Sequence, residues 1–228
     1  MKTTLTNLML ATCLVVTPSL YAGDRNAIMV SQGATEFSEL THQIERITSS
    51  SYSCFLFFCG YSYTYENAVV EFTDKLSNSI LVNYEHIFRN GMVLESSLGS
   101  VQSSYTVYPA TSLPSSGDIN QSMHTVGLKY YFNEDGWFQP FVGLGMGMYS
   151  AKLTGEVHNT FVNWLYQAKL GLSVKVSDFR IFAVYTHALV YEEQDATQDN
   201  SGDAAIGEYV GSLDLSSRRL NLGVAWLF

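Results

Sequence analysis

The chain has 228 residues, of which 46% are hydrophobic, 14% aromatic and only 14% charged, and its formal net charge is −9. Soluble domains carry about 25% charged residues, and disordered chains combine more charge with fewer aromatics, so both classes are excluded and something other than water must face much of the surface. No run after the N-terminus reaches the roughly 18 apolar residues of a membrane-spanning helix, which leaves a closed β-barrel as the way to satisfy every backbone group inside lipid. An acidic chain without a Lys/Arg cluster gives no case for nucleic acid.

In chain order, residues 1–22 read as a secretory signal: Lys2 is the positive start, Leu5 to Val16 the apolar stretch, Pro18 its end, and cleavage is expected after Ala22. Residues 23–60 break from the pattern of the rest. Phe37, Leu40, Thr41, Ile44 and Ile47 recur at helical spacing, which predicts a short amphipathic helix in the periplasm, against the barrel mouth or on the membrane surface. The alternative is that this segment adds two strands and brings the barrel to ten. Cys54 and Cys59 follow an export signal, so a local disulfide is expected in an oxidising compartment. Free thiols are the main alternative; the spacing also suits a metal site, but no His stands nearby, and neither metal nor cofactor is expected.

Residues 61–228 repeat one unit: about ten residues of alternating polarity, a turn, then the next run. The predicted strands are 62–73, 78–88, 91–105, 121–133, 137–153, 161–176, 179–192 and 215–228. The clearest is Phe161–Val176, where Val162, Trp164, Tyr166, Ala168, Leu170, Leu172, Val174 and Val176 share one face. Tight turns at Phe88-Arg89-Asn90-Gly91, Asn133-Glu134-Asp135-Gly136 and Ser177-Asp178 alternate with longer polar loops near 106–120, 153–160 and 193–212. The predicted fold is all-β: a single closed antiparallel transmembrane barrel of about eight strands, with short turns on one side and long loops on the other.

This register puts Glu85, Glu95, Lys129, Lys169 and Lys175 on the face turned away from lipid. Opposite charges inside a small barrel are expected to balance one another, because an ion path needs a wider lumen than eight strands leave. Trp137, Phe138, Tyr130, Phe132, Phe88, Trp226 and Phe228 gather at the turn-side ends, with Trp164 and Tyr166 toward the loops, as membrane-anchoring girdles do. Ser122 and His124 share the outward face. A triad also needs an orienting acid, and neighbouring strands offer no outward Asp or Glu; His187 has Leu189 where a serine would stand. Glu192, Glu193, Asp195, Asp199 and Asp203 make the last long loop acidic, open to cation binding, to contact with a host or phage surface, or to plain solvation.

Three stretches carry a resemblance to a known family: Pro140-Phe141-Val142-Gly143-Leu144-Gly145-Met146-Gly147; Tyr84-Glu85-His86 through Arg89-Asn90-Gly91 into Leu94-Glu95; and the C-terminal strand ending in Phe228. Over residues 60–228 the chain resembles the small outer-membrane β-barrel proteins of the OmpA-like and opacity-porin group. The resemblance implies a monomeric eight-stranded barrel, its lumen filled by side chains, in the Gram-negative outer membrane among lipopolysaccharide. It also implies folding by the barrel-assembly machinery, with Trp226 and Phe228 as the assembly signal. The implied role is structural or surface interaction (envelope integrity, adhesion or antigen exposure) without catalysis. A narrow porin for small solutes is one alternative. A lipid A-modifying enzyme is the other: Ser122 and His124 reverse the His-x-Ser order of lipid A deacylases, and a barrel palmitoyl transferase also begins with an amphipathic helix. The sequence departs from the family in residues 23–60, and no peptidoglycan-binding domain follows the barrel, so an envelope-tethering role is not expected.

Overall fold

Period-two alternation places successive side chains on opposite faces of a sheet, and the computed structural model turns each such run into a strand. It describes residues 25–38, 41–55, 58–73, 76–110, 113–154, 159–191, 209–210 and 215–228; the expected signal segment, residues 1–22, lies outside these. The strands are β1 Arg25–Phe37, β2 Thr41–Phe55, β3 Phe58–Phe72, β4 Ser77–Ile87, β5 Met92–Pro109, β6 Ser115–Tyr131, β7 Phe138–Thr154, β8 Asn159–Val176, β9 Phe179–Val190, β10 Tyr209–Val210 and β11 Ser217–Leu227.

All described pairings are antiparallel. Eight strands close on themselves in the order β5-β4-β1-β11-β9-β8-β7-β6, with β6 pairing back to β5. The first and last strands meet at the turn-side end, where Asn26 and Phe228 exchange two backbone hydrogen bonds of 2.9 Å. The tight turns fall at 88–91, 132–137 and 177–178. Gly91 has φ 79, a conformation that only glycine adopts without strain.

The count of eight agrees with the sequence pattern, but the identity of the first strand does not. The opening barrel strand is β1, inside the segment expected to be separate, and no helix occurs among the described residues. Apolar residues occupy both faces of β1: Ala27, Met29 and Phe37 are buried, while Ile28 and Val30 are exposed. Its hydropathy therefore hardly alternates. The apparent helical spacing joins the end of β1 to the start of β2, with Phe37 and Ile44 buried in one apolar cluster. The predicted first strand, 62–73, instead belongs to a hairpin of β2 and β3, an insertion between barrel strands β1 and β4. The boundary drawn at residue 61 thus falls within this hairpin.

The loop predicted over 106–120 is also mostly strand. Through the membrane, β6 turns Val126, Leu128 and Tyr130 outward and buries Thr125 and Lys129. Beyond it the polarity inverts: Ser116, Asp118 and Asn120 are exposed and Ile119 is buried. The row Asn78, Gln102, Asn120, Lys152 and Thr160 lies in register across five strands, and each residue is exposed. It marks where lipid gives way to water. On β11 the outward run from Leu220 to Phe228 covers about 21 Å at ~3.4 Å per residue and ~40° tilt, close to the ~25 Å band of such barrels. Trp137, Phe132, Trp226 and Phe228 stand exposed at the turn-side edge of that band.

Two lumen phenylalanines lie over glycines on the next strand. Phe141 is in register with Gly171 and Phe182 with Gly223, and a Cβ at Gly223 would come 2.6 Å from Phe182 Cζ. A Cβ at Gly171 would run into the Phe141 ring. Gly171→Val is expected to lower barrel stability by about 1–3 kcal/mol, as overpacking does. Urea unfolding followed by the heat-modifiable gel shift checks this, and an unchanged midpoint contradicts the packing described.

Candidate functional site: an occluded lumen beneath an external hairpin

At mid-height the lumen holds a layer of charge. Glu85 on β4 stands in register opposite Glu95 on β5, and both are buried. Like charges facing across a ladder repel, so this pair requires a cation. Lys129 from β6 supplies it, bridging Glu85 and Glu95. Lys169 from β8 completes the layer by pairing with Glu95. Ser97 Oγ donates to Glu95 Oε1 at 2.8 Å, and the Tyr131 hydroxyl donates to Glu85 Oε2 at 3.2 Å. The glycine strand makes room: Lys129, Gly143 and Lys169 lie in one row, and Gly127, Gly145 and Gln167 in the next.

Sequence reasoning missed Arg180. It is fully buried on β9, 3.8 Å from Glu85 Oε2 through Nη1, with its guanidinium 4.5 Å from the Tyr131 ring centroid. Both faces of β9 carry apolar residues, which hides its phase. Counting outward from the Ser177-Asp178 turn recovers it, because Phe179 and Ile181 are exposed and Arg180 between them is not. Lys175 is half-buried near that turn, in register with Arg180, and lies apart from the Glu85–Glu95–Lys129–Lys169 layer.

Among the described residues, apolar clusters flank this layer within the lumen. Met29, Ile87, Val93, Tyr131, Phe141 and Phe182 pack on the turn side. Val101, Tyr105, Ile119, Met123, Tyr149 and Leu165 pack on the outer side, continuous with Ile44, Ala68, Val70 and Phe72 of the hairpin base. A cavity of about 10 Å³, bordered by Glu95, Lys129 and Lys169, is the size of a single water site.

The hairpin base is built into the wall. Ala68–Phe72 of β3 pair with Tyr105–Pro109 of β5, β10 of the last long loop pairs with Glu45 and Arg46, and Arg46 Nη1 lies 3.2 Å from Glu66 Oε1. The backbone register places Cys54 opposite Cys59 near the end of the hairpin; their side chains lie outside the described ones, as do the acids Glu192 to Asp203. No grouping of three metal-ligating side chains occurs among the described residues.

Ser122 and His124 are both exposed on the barrel exterior. Their cross-strand neighbours are Ser100 and Ser150, and Leu98 and Met148. No carboxylate stands in those rows to orient the imidazole, as nucleophile activation requires.

The charge layer generates a stability test. Lys129→Met leaves two buried carboxylates facing each other and is expected to cost about 3–5 kcal/mol. Adding Glu85→Gln is expected to recover part of that loss. Urea midpoints of the three proteins in one detergent provide the measurement, and equal midpoints for wild type and Lys129→Met contradict the bridging role.

No family model matches the chain, and no curated protein matches it. Among solved structures it is similar to the outer membrane protein OprG from Pseudomonas aeruginosa, at a TM-score of 0.56 and 14% identity, over 91% of this chain and 96% of that one. It is also similar to Neisserial surface protein A, at a TM-score of 0.51 and 12% identity, over 91% of this chain and 98% of that one. The chain thus has the fold of the small outer-membrane β-barrels, and its apolar exterior is the surface such a barrel turns to the outer membrane.

Proposed function

We propose that the protein is a non-catalytic surface scaffold of the outer membrane, an occluded barrel that carries an external hairpin for contact with other surfaces. The observation that supports this most directly is the packing of the lumen. Among the described residues, two apolar clusters and a bridged charge layer occupy it, which supports an anchor rather than a channel. The fold then works as an anchor, and its distinctive part is the β2–β3 insertion, held by β5 and β10.

The exterior supports the anchoring role. Trp226 and Phe228 are both exposed, with ring centroids 5.2 Å apart, at the membrane edge where aromatics settle. In this reading they also present the C-terminal strand to the barrel-assembly machinery. Lipopolysaccharide is the expected neighbour of the polar row that begins at Asn78, and adhesion or antigen exposure falls to the hairpin and loops.

Conductance and lipid chemistry test the two alternatives. The refolded protein is expected to give no sustained conductance in a planar bilayer; steady open channels with ion selectivity would establish the porin and end the scaffold reading. Lipid A from cells producing His124→Ala is expected to be identical to lipid A from cells producing the wild type. A modification present only with His124 intact would show an enzyme.

A further inference from the structure

The charges enclosed by the barrel wall do not balance. Among the described residues the carboxylates there are Glu85 and Glu95, and the cations are Lys129, Lys169, Arg180 and Arg219. The lysines take up the carboxylates, and Arg180 shares Glu85 while its guanidinium lies over the Tyr131 ring. Arg219 on β11 has no such support. It is 1% exposed, and no carboxylate pairs with it among the described residues. Its guanidinium meets the Met123 thioether, 2.9 Å from Nη1. A thioether is a weak acceptor, and a guanidinium keeps its charge at neutral pH. A buried charge without a counter-charge is among the most costly features a fold can carry.

The groups around Arg219 offer further donors. Its own Nε and Nη2 have no hydrogen-bond partner among the described residues. Thr35 of β1 stands beside it in the register; it is fully buried, and its hydroxyl is likewise unpaired. Tyr149 of β7 is the register neighbour of Met123 and lies within electrostatic reach of Arg219. Its buried hydroxyl is also without a partner among the described residues. On the other side, Thr186 alone separates Arg219 from Lys169 in one row. A water molecule here would accept hydrogen bonds but bring no charge, whereas an anion supplies both. Space sets the size of that anion. The cavity of about 10 Å³ that borders Thr186 and Lys169 is of single-water size, a scale that suits a monatomic ion and excludes phosphate or a carboxylic acid.

We propose that the barrel binds a chloride-sized anion inside its lumen, held by Arg219 Nε and Nη2, with the hydroxyls of Thr35 and Tyr149 donating to it. Met123 is unbranched and flexible, and its thioether swings aside to make room. The ion neutralises the buried guanidinium. It also ties β7, across the lumen, to the seam where β1 closes on β11. The ligand is a structural counter-ion, so the inference goes beyond the scaffold reading and does not depend on what the hairpin contacts.

The test is urea unfolding of the full chain, refolded in an uncharged detergent, with chloride exchanged for gluconate at constant ionic strength. The heat-modifiable gel shift reads the folded fraction. The folding equilibrium constant of wild type is expected to rise about tenfold for each tenfold increase in chloride above its dissociation constant, as for any ligand held only by the folded state. Arg219→Met is expected to show no chloride dependence. A wild-type midpoint that ignores chloride overturns the proposal, and so does a chloride dependence that Arg219→Met retains. Should Arg219→Met fail to fold, wild-type crystals grown in bromide give the second readout. An anomalous peak within hydrogen-bond distance of the Arg219 guanidinium supports the site, and the lack of a peak there overturns it.

Discussion

A backbone in hydrocarbon has no solvent to take up its hydrogen bonds, so every amide and carbonyl must find a partner within the protein. This requirement fixes the rest of the structure. It forces β6 back onto β5 and the first strand onto the last, and it leaves the eight-stranded wall without an edge. Once the wall is closed, the two faces of each strand meet different media. The outer face must suit lipid and then water, and the inner face must fill a space too narrow for solvent to run through.

The inversion of polarity along β5 and β6 follows from the same constraint. Inside the membrane the outer medium is less polar than the lumen, so Val126 and Leu128 face out while Lys129 faces in. Above the membrane the outer medium is water, so Asp118 and Asn120 face out and Ile119 is buried. One strand therefore obeys two opposite hydropathy rules, each correct for its surroundings. The outer apolar cluster that results packs within the lumen and also seats the hairpin base, through Ile44, Ala68, Val70 and Phe72. Packing of the lumen and support of the hairpin are served by the same side chains.

The interior charges show how little freedom the fold leaves. Glu85 and Glu95 confront each other because the register of β4 and β5 places them so. Lys129 and Lys169 reach them because the row between the two lysines offers only Gly143. The glycines of β7 thus act by absence of side chain, and the ion layer depends on them as much as on the charged residues. A buried network of this kind adds little net stability compared with an apolar core, but removing one member is costly. It specifies a lumen that is filled.

Most of the barrel was legible in the sequence. Strands β4 to β9 and β11, their tight turns and the inward placement of Glu85, Glu95, Lys129 and Lys169 all follow from period-two alternation counted from Asn-Gly and Asp-Gly turns, since side-chain phase is a local property of an extended chain. Where both faces are apolar the local signal vanishes: β1 and Arg180 were hidden for that reason. The role of residues 41–72 was not local at all. Residues 62–72 read as strand and 41–60 as a helix or an added pair of strands, but whether a strand crosses the membrane or stands outside it depends on which strand it pairs with, and β3 meets only the outermost residues of β5. Sequence alone determined a closed, apolar-walled barrel with a charged interior. Only the tertiary structure decided which strands close it, which side chains pack across the lumen and that β2 and β3 form a hairpin outside the closed ring, because those depend on pairings between residues far apart in the chain.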